Sequence, residues 1–170
     1  MKMPVYLISG PVGVGKSTLT RILSARIERA ARIEGDVLMA MFDDKYDRTW
    51  EERLAMTWDN IAAVTRTFVR GGHPVVIDYV VEEELEWFRG EMAELGAELR
   101  YVVLTAEEDA VMDRIRSRGD IHMTDRSLFL LRKLRASEAN APYLLETTGR
   151  RPEDLAEEIL HDPGFILNRP

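Results

Sequence analysis

The sequence predicts an α/β fold built on a parallel sheet, and three observations carry the prediction. Five short apolar runs alternate with stretches of helical periodicity: Val5 to Ser9, Ala31 to Glu34, Pro74 to Tyr79, Leu99 to Leu104, and Tyr143 to Glu146. Such alternation builds strand–helix–strand units with right-handed crossovers. The first run leads into Gly10-Pro11-Val12-Gly13-Val14-Gly15-Lys16-Ser17, which fits the phosphate-binding pattern G-x-x-x-x-G-K-[ST]. Leu19, Ile22, Leu23 and Ile27 then recur at helical spacing. The pattern therefore lies between a strand and a helix, the context it requires.

The other elements follow in order. Thr49 with Glu52 forms a capping box opening a long helix. Leu54, Trp58, Ile61, Thr65 and Phe68 share one face of it, and Gly71-Gly72 ends it. A helix over Glu82 to Leu95 carries Leu85, Phe88 and Met92. Thr105 with Glu108 reads as a second capping box, before a helix with Val111, Met112 and Ile115 that Gly119 breaks. A polar stretch from Arg118 to Asp125 precedes a helix with Leu128, Leu131 and Leu134. Pro152 takes the first position of a helix with Leu155, Ile159 and Leu160, and the tail from Pro163 to Pro170 reads as irregular.

With 170 residues, of which 45% are hydrophobic and 31% charged, one domain over residues 1–170 is expected. The absence of cysteine excludes disulfides, thiolate zinc sites and cysteine nucleophiles, and fits a cytoplasmic location. No signal peptide is read in Met1-Lys2-Met3-Pro4, and no apolar run approaches the roughly 20 residues of a membrane span. The net charge of -7 argues against a nucleic-acid partner. His73, His122 and His161 are scattered without metal-ligand spacing.

The chemistry concentrates after the strands, where open α/β sheets bind ligands. Gly10, Gly13 and Gly15, with Val14 between them, let main-chain amides approach a phosphate at the positive end of the helix that starts near Lys16. Lys16 supplies a mobile charge for the β- and γ-phosphates, Ser17 a hydroxyl ligand for Mg²⁺, and Thr18 a second polar group. In Glu34-Gly35-Asp36, Asp36 is the candidate base for an acceptor hydroxyl and Glu34 assists through Mg²⁺-bound water. The plainer role for Asp36 is to cap a helix starting at Val37. Asp78 closes an apolar strand in the manner of a metal-holding carboxylate, with Tyr79 and Val80 facing an acceptor pocket. Arg114 and Arg118, with Arg126 nearby, flank the polar stretch and suit a short lid that stabilises phosphoryl charge. Their alternative is a solvated helix face. Thr148 and Gly149, with Pro152 behind them, offer backbone contacts to a nucleobase or form a simple turn. Trp58 reads mainly as core, Asn60 points toward the acceptor, and Glu82-Glu83-Glu84 reads as a helix N-terminus.

These residues together resemble the small P-loop kinases of the gluconate kinase, shikimate kinase and chloramphenicol phosphotransferase type, over nearly the whole chain. The resemblance rests on Gly10 to Ser17, Glu34-Gly35-Asp36, the Asp78 strand, the arginine-rich lid helix, and Thr147-Thr148-Gly149 with Pro152. Ile33 to Asp36, Thr57 to Ile61 and Val76 to Tyr79 look most like gluconate kinases. The resemblance implies a P-loop NTPase sandwich of three α/β/α layers, with a five-stranded parallel sheet in the order 2-3-1-4-5 and a helical lid at about 114–128. It implies ATP and Mg²⁺, Asp36 as the acceptor-activating acid, and an acceptor pocket using Asp36, Trp58, Asn60, Asp78 and Tyr79. The implied activity is phosphoryl transfer from Mg-ATP to a hydroxyl of a sugar, sugar acid, nucleoside or antibiotic, by a monomer or homodimer. A polynucleotide 5′-hydroxyl kinase and a nucleotide-binding regulatory NTPase are the alternatives. Trp50, Met56, Trp58 and Tyr79 near the acceptor region suggest a less anionic acceptor.

Overall fold

The structure, a computed structural model, describes residues 2–43 and 48–167. Five strands form one parallel sheet: β1 (Pro4–Ser9), β2 (Ala31–Glu34), β3 (Val75–Asp78), β4 (Glu98–Thr105) and β5 (Leu144–Glu146). Their order is β2-β3-β1-β4-β5, as expected. The helices are α1 (Lys16–Arg26), α2 (Gly35–Met39), α3 (Trp50–Arg70), α4 (Leu85–Glu94), α5 (Glu108–Arg118), α6 (Thr124–Ala136) and α7 (Pro152–His161). Among the described residues, none is long and apolar enough to cross a membrane.

Alternation along each strand divides the core between two faces. Val5, Leu7, Ile77 and Leu99 pack on one side with Trp58 and Ile61 of α3 and Phe88 and Met92 of α4. Tyr6, Ile8, Val76, Val102 and Leu104 pack on the other with Leu19 and Leu23 of α1, Val111 and Ile115 of α5, and Leu155 and Ile159 of α7. The helix α6 contributes to both, Leu134 to the first core and Leu131 to the second. The three central strands are covered on both faces, so they read as unbroken apolar runs. The edge strands β2 and β5 have only four and three residues and leave part of their side chains half-buried.

Several local expectations need correction. Thr105 does not open α5: it is the last residue of β4, its hydroxyl donates to Glu146, and the helix cap is Glu107 without a side-chain bond. The Thr49–Glu52 capping box, by contrast, forms with both bonds present. Glu82 does not begin a helix; α4 starts at Leu85, because the Glu84 carboxylate accepts the amides of Glu82 and Glu83 and holds them in a turn. Phe68 lies near the open end of α3 and is exposed. The stretch between Arg118 and Asp125 contains a short 3₁₀ turn, Ile121–Met123. The tail is less irregular than expected: Pro163–Phe165 is a 3₁₀ turn, Phe165 is buried, and Leu167 donates to the Leu99 carbonyl. Residues 168–170 lie outside the described residues.

Candidate active site

The phosphate loop spans the turn from β1 to α1. A Cβ at Gly10 would lie 2.8 Å from the Leu104 carbonyl oxygen, so the loop can leave β1 alongside β4 only with glycine there. Gly15 has open space around it but a φ of 103°, which favours glycine for backbone reasons alone. Gly15 caps α1 without a side-chain bond, and no acidic residue occupies the first turn. The helix dipole and the first amides of α1 are therefore left for an external anion.

Four successive carbonyls of the loop are taken by side chains. Lys16 Nζ donates to Pro11 (3.0 Å), and Ser127 Oγ of α6 donates to Val12 (2.6 Å). Arg114 of α5 donates to Gly13 (3.2 Å) and Val14 (3.3 Å), and Thr147 after β5 donates to Val14 (3.1 Å). The loop conformation is thus set from three directions before any ligand arrives. Ser127 and Thr147 were not legible as loop supports, since each is a single hydroxyl more than a hundred residues away.

The carboxylates gather at the ends of β2 and β3. Parallel register sets Glu34 beside Asp78, and Asp78 beside Ile8, the penultimate residue of β1. Asp78 is buried, and the Thr20 hydroxyl of α1 lies 3.5 Å from its Oδ2. Thr20 was also missed. The signal available was a threonine between Leu19 and Leu23 on the buried side of α1. Glu34 forms an ion pair with Arg32 at 2.6 Å. Asp36 does not cap a helix: α2 begins at Gly35, with Glu34 as cap, and Asp36 sits in the first turn. A Cβ on Gly35 would fall 2.2 Å from the Tyr79 ring, so this turn exists only because residue 35 is glycine.

Electrostatics couple these groups. Loss of hydration raises the Asp36 carboxyl above the usual range; the Lys16 charge opposes this, while Asp78 and Glu34 add to it. The Lys16 amine is held below the usual lysine range by desolvation, against the pull of Asp78 and Asp36. Burial, with Asp36 and Glu84 nearby, pushes the Tyr79 phenol up to about 12.

Two clefts flank the loop. One, of about 340 Å³, is lined by Gly10, Lys16, Asp36, Tyr79, Glu82 and Arg126 among others, so the loop lysine and the candidate base share a wall. The other, of similar size, is lined by Val14, Gly15, Thr18, Arg114, Arg118, Thr147, Arg150 and Pro152. Arg118 is exposed there, whereas Arg114 is half-buried and bonded to the loop. Thr148 accepts the Glu107 amide and bridges two turns; neither it nor Gly149 lines this cleft. Ser17, at the start of α1, is half-buried. Trp58 is buried against Tyr79 and Phe88, and also lines a third cleft between α3 and α4. Asn60 is exposed on α3 and lines none of the three. Glu82 and Glu83 bind the cations of α6: Glu82 pairs with Arg126 and Lys133, and Glu83 with Lys133. Those pairs join segments more than forty residues apart and leave no local trace in the sequence.

Known structures share this fold. A tunicamycin resistance protein from Deinococcus radiodurans superposes with a TM-score of 0.67 at 19% identity, covering 99% of this chain and 100% of its own. The Mycobacterium tuberculosis APS kinase CysC, in complex with AMPPNP and APS, gives 0.66 at 16% identity, covering 94% of this chain and 96% of its own. A gluconokinase from Sinorhizobium meliloti 1021 gives 0.58 at 18% identity, with 94% and 91% covered. Such identities establish the fold. No curated protein matches the sequence. The family model described as an AAA domain matches residues 7–141, from the middle of β1 to the turn before β5, and the chain belongs to that family.

Proposed function

We propose that this chain is a kinase that transfers the terminal phosphoryl group of ATP to a hydroxyl of a small molecule. One observation supports this above the others: Lys16 of the phosphate loop and Asp36 line the same cleft, with the acidic end of β3 next to them. The acceptor hydroxyl attacks the γ-phosphorus as the bond to the bridging oxygen of ADP breaks. The hydroxyl proton passes to Asp36. A raised carboxyl pKa suits that role, since it makes Asp36 a stronger base than an ordinary aspartate. Lys16 and the amides of α1 balance charge on the phosphates, and exposed Arg118 can reach it from the other side.

Magnesium fits the residues present. Asp78 is a buried carboxylate whose hydrogen bond among the described residues is the long contact from Thr20, leaving oxygen capacity free. Ser17 is the second residue of α1, and its carbonyl accepts the same Thr20 hydroxyl that approaches Asp78. No three metal-ligating side chains cluster among the described residues, as suits an ion held by one or two protein groups plus phosphates. Asp78 and Ser17 would hold it, with Glu34 as the register partner of Asp78 on β2, and it would neutralise phosphate charge.

The reading is tested by ADP release from Mg-ATP across sugars, sugar acids, nucleosides and hydroxylated antibiotics, with product mass as the second readout. The expected result is one acceptor class raising turnover well above background. Asp36→Asn should then lower transfer by about 10²–10⁴-fold while nucleotide affinity is kept. A flat panel with tight ATP binding would transfer support to the regulatory NTPase reading.

A further inference from the structure

The acceptor side of the molecule continues into a third cleft of about 450 Å³, within the size range of small-molecule sites. Its wall is formed by Glu51, Leu54, Ala55, Trp58 and Asp59 of α3 with Glu83, Glu84 and Trp87 at the start of α4. Leu54 and Glu84 line both this cleft and the one holding Lys16 and Asp36, so the two adjoin at these side chains. The lining has four carboxylates and, among the described residues, no lysine, arginine or histidine. Glu83 is satisfied by Lys133 and Glu84 by two backbone amides, but Glu51 and Asp59 are exposed and have no ion pair among the described residues. The apolar part of the wall is aromatic: Trp87 is 42% exposed. Trp58 is 2% exposed, and its indole Nε1 is buried without a hydrogen-bond partner, an unspent donor in a side chain that lines the cleft.

We propose that this cleft selects the acceptor, and that the acceptor is a hydroxyl-bearing organic cation, an amino alcohol or amino sugar in chemical class. The inference rests on the kinase reading for the fate of the hydroxyl but not for binding. An ammonium group lies against the indole face of Trp87, the best aromatic partner for a cation, in the field of Glu51 and Asp59, which stand about 12 Å apart along α3. An oxygen of the same molecule takes the Trp58 N–H, and the hydroxyl to be phosphorylated extends past Leu54 toward Asp36. A carboxylate or phosphate group placed in this cleft would meet four acids and, among the described residues that line it, no cation, so sugar acids are disfavoured there. Expected selectivity therefore goes beyond a less anionic acceptor and reverses its sign.

Binding is measured first without nucleotide, by calorimetry and tryptophan fluorescence. The probes are choline against its uncharged tert-butyl analogue, glucosamine against N-acetylglucosamine, and gluconate as the anion. Each cation is expected to bind about tenfold or more tightly than its neutral counterpart, with gluconate weakest. Glu51→Gln with Asp59→Asn should erase the preference, and Trp87→Leu should weaken both cations. All three side chains are exposed, and a melting curve checks that each variant folds. Equal binding of cation and neutral partner, no binding of either cation, or a preference untouched by Glu51→Gln with Asp59→Asn overturns the proposal, leaving the kinase reading to its own ADP-release assay. Selective cation binding with no phosphorylated product would instead defeat the kinase reading and keep the site.

Discussion

The two sides of the phosphate loop carry opposite fields. The cleft beside Thr18 and Pro152 is lined by Arg114, Arg118 and Arg150 and, among the described residues, by no carboxylate. The cleft between α3 and α4 is lined by Glu51, Asp59, Glu83 and Glu84 and, among the described residues, by no cation. Between them lies the mixed cleft of Lys16, Asp36, Glu82, Glu84 and Arg126. A net charge of -7 describes neither side. On the proposed kinase reading, a polyanionic phosphoryl donor and an acceptor of the other sign would enter from opposite sides. Focused local fields, rather than the overall charge, decide which ligand enters which side.

The largest effect is expected at the centre. Lys16→Ala should cut phosphoryl transfer by about a thousandfold, measured as product formed at saturating acceptor. It should also free the Pro11 carbonyl that Lys16 now holds. A variant with unchanged nucleotide affinity would defeat the phosphate-loop assignment.

Next come Arg114 and Arg118 of α5, which the structure separates. Arg118 is exposed in the donor-side cleft, while Arg114 donates to two loop carbonyls and Thr147. Arg118→Ala should lower turnover by about tenfold to a hundredfold with little change in melting temperature. Arg114→Ala removes charge-assisted bonds to half-buried carbonyls, at about 1.5–3 kcal/mol each before compensation, and should lower the melting temperature as well as turnover. Equal loss of stability in both variants would erase the distinction.

A smaller effect is expected on the acceptor side. Gly35→Ala places a methyl 2.2 Å from the buried Tyr79 ring. The strain should cost about 1–3 kcal/mol, with a melting temperature lower by ~2–4 °C per kcal/mol in a chain of this length. Rotation of Tyr79 should disturb acceptor affinity more than nucleotide affinity, a split that titration of each ligand reads directly.

The smallest effect is a pH dependence. The folded Asp36 carboxyl has a pKa raised above its ordinary 3.8, chiefly by desolvation. Between the unfolded and folded values the native state binds more protons, so stability falls as pH rises through that window. The penalty is complete above the folded pKa and absent below 3.8. Asp36→Asn should therefore melt slightly higher than the parent at neutral pH, with the gap closing on acidification. A gap that widens toward low pH would show that Asp36 is stabilised, not strained, in the fold.

Much of this architecture was legible along the chain because it is written in local patterns. The run from Val5 to Ser9, the glycine loop and the spacing from Leu19 to Leu23 each lie within one element. The Thr49–Glu52 cap is a contact across three residues and formed as read. The Thr105–Glu108 pattern has the same spacing and did not form, because β4 pairs with β5 through residue 105 and keeps it extended. Pairing across the sheet outweighed a cap that contributes about 1 kcal/mol. Phe68 failed because Val69 beside it packs against the core at that end of α3, while Phe68 is exposed and meets the His73 ring edge-on.

The catalytic candidates divide along the same line. Gly10 to Ser17, Asp36 and Asp78 follow strands, and a parallel sheet brings the ends of neighbouring strands together whatever the details. Order 2-3-1-4-5 then makes Glu34 and Asp78 neighbours. By contrast, Thr20 against Asp78, Ser127 on Val12, Arg114 on Gly13 and the Glu82 pairs with Arg126 and Lys133 required the folded molecule. So did the charge of each cleft. Hydrophobic periodicity and backbone geometry act over a few residues, and the chain records them in order. Hydrogen bonds and fields depend on side-chain distances of a few ångströms between distant segments, and only packing sets those distances.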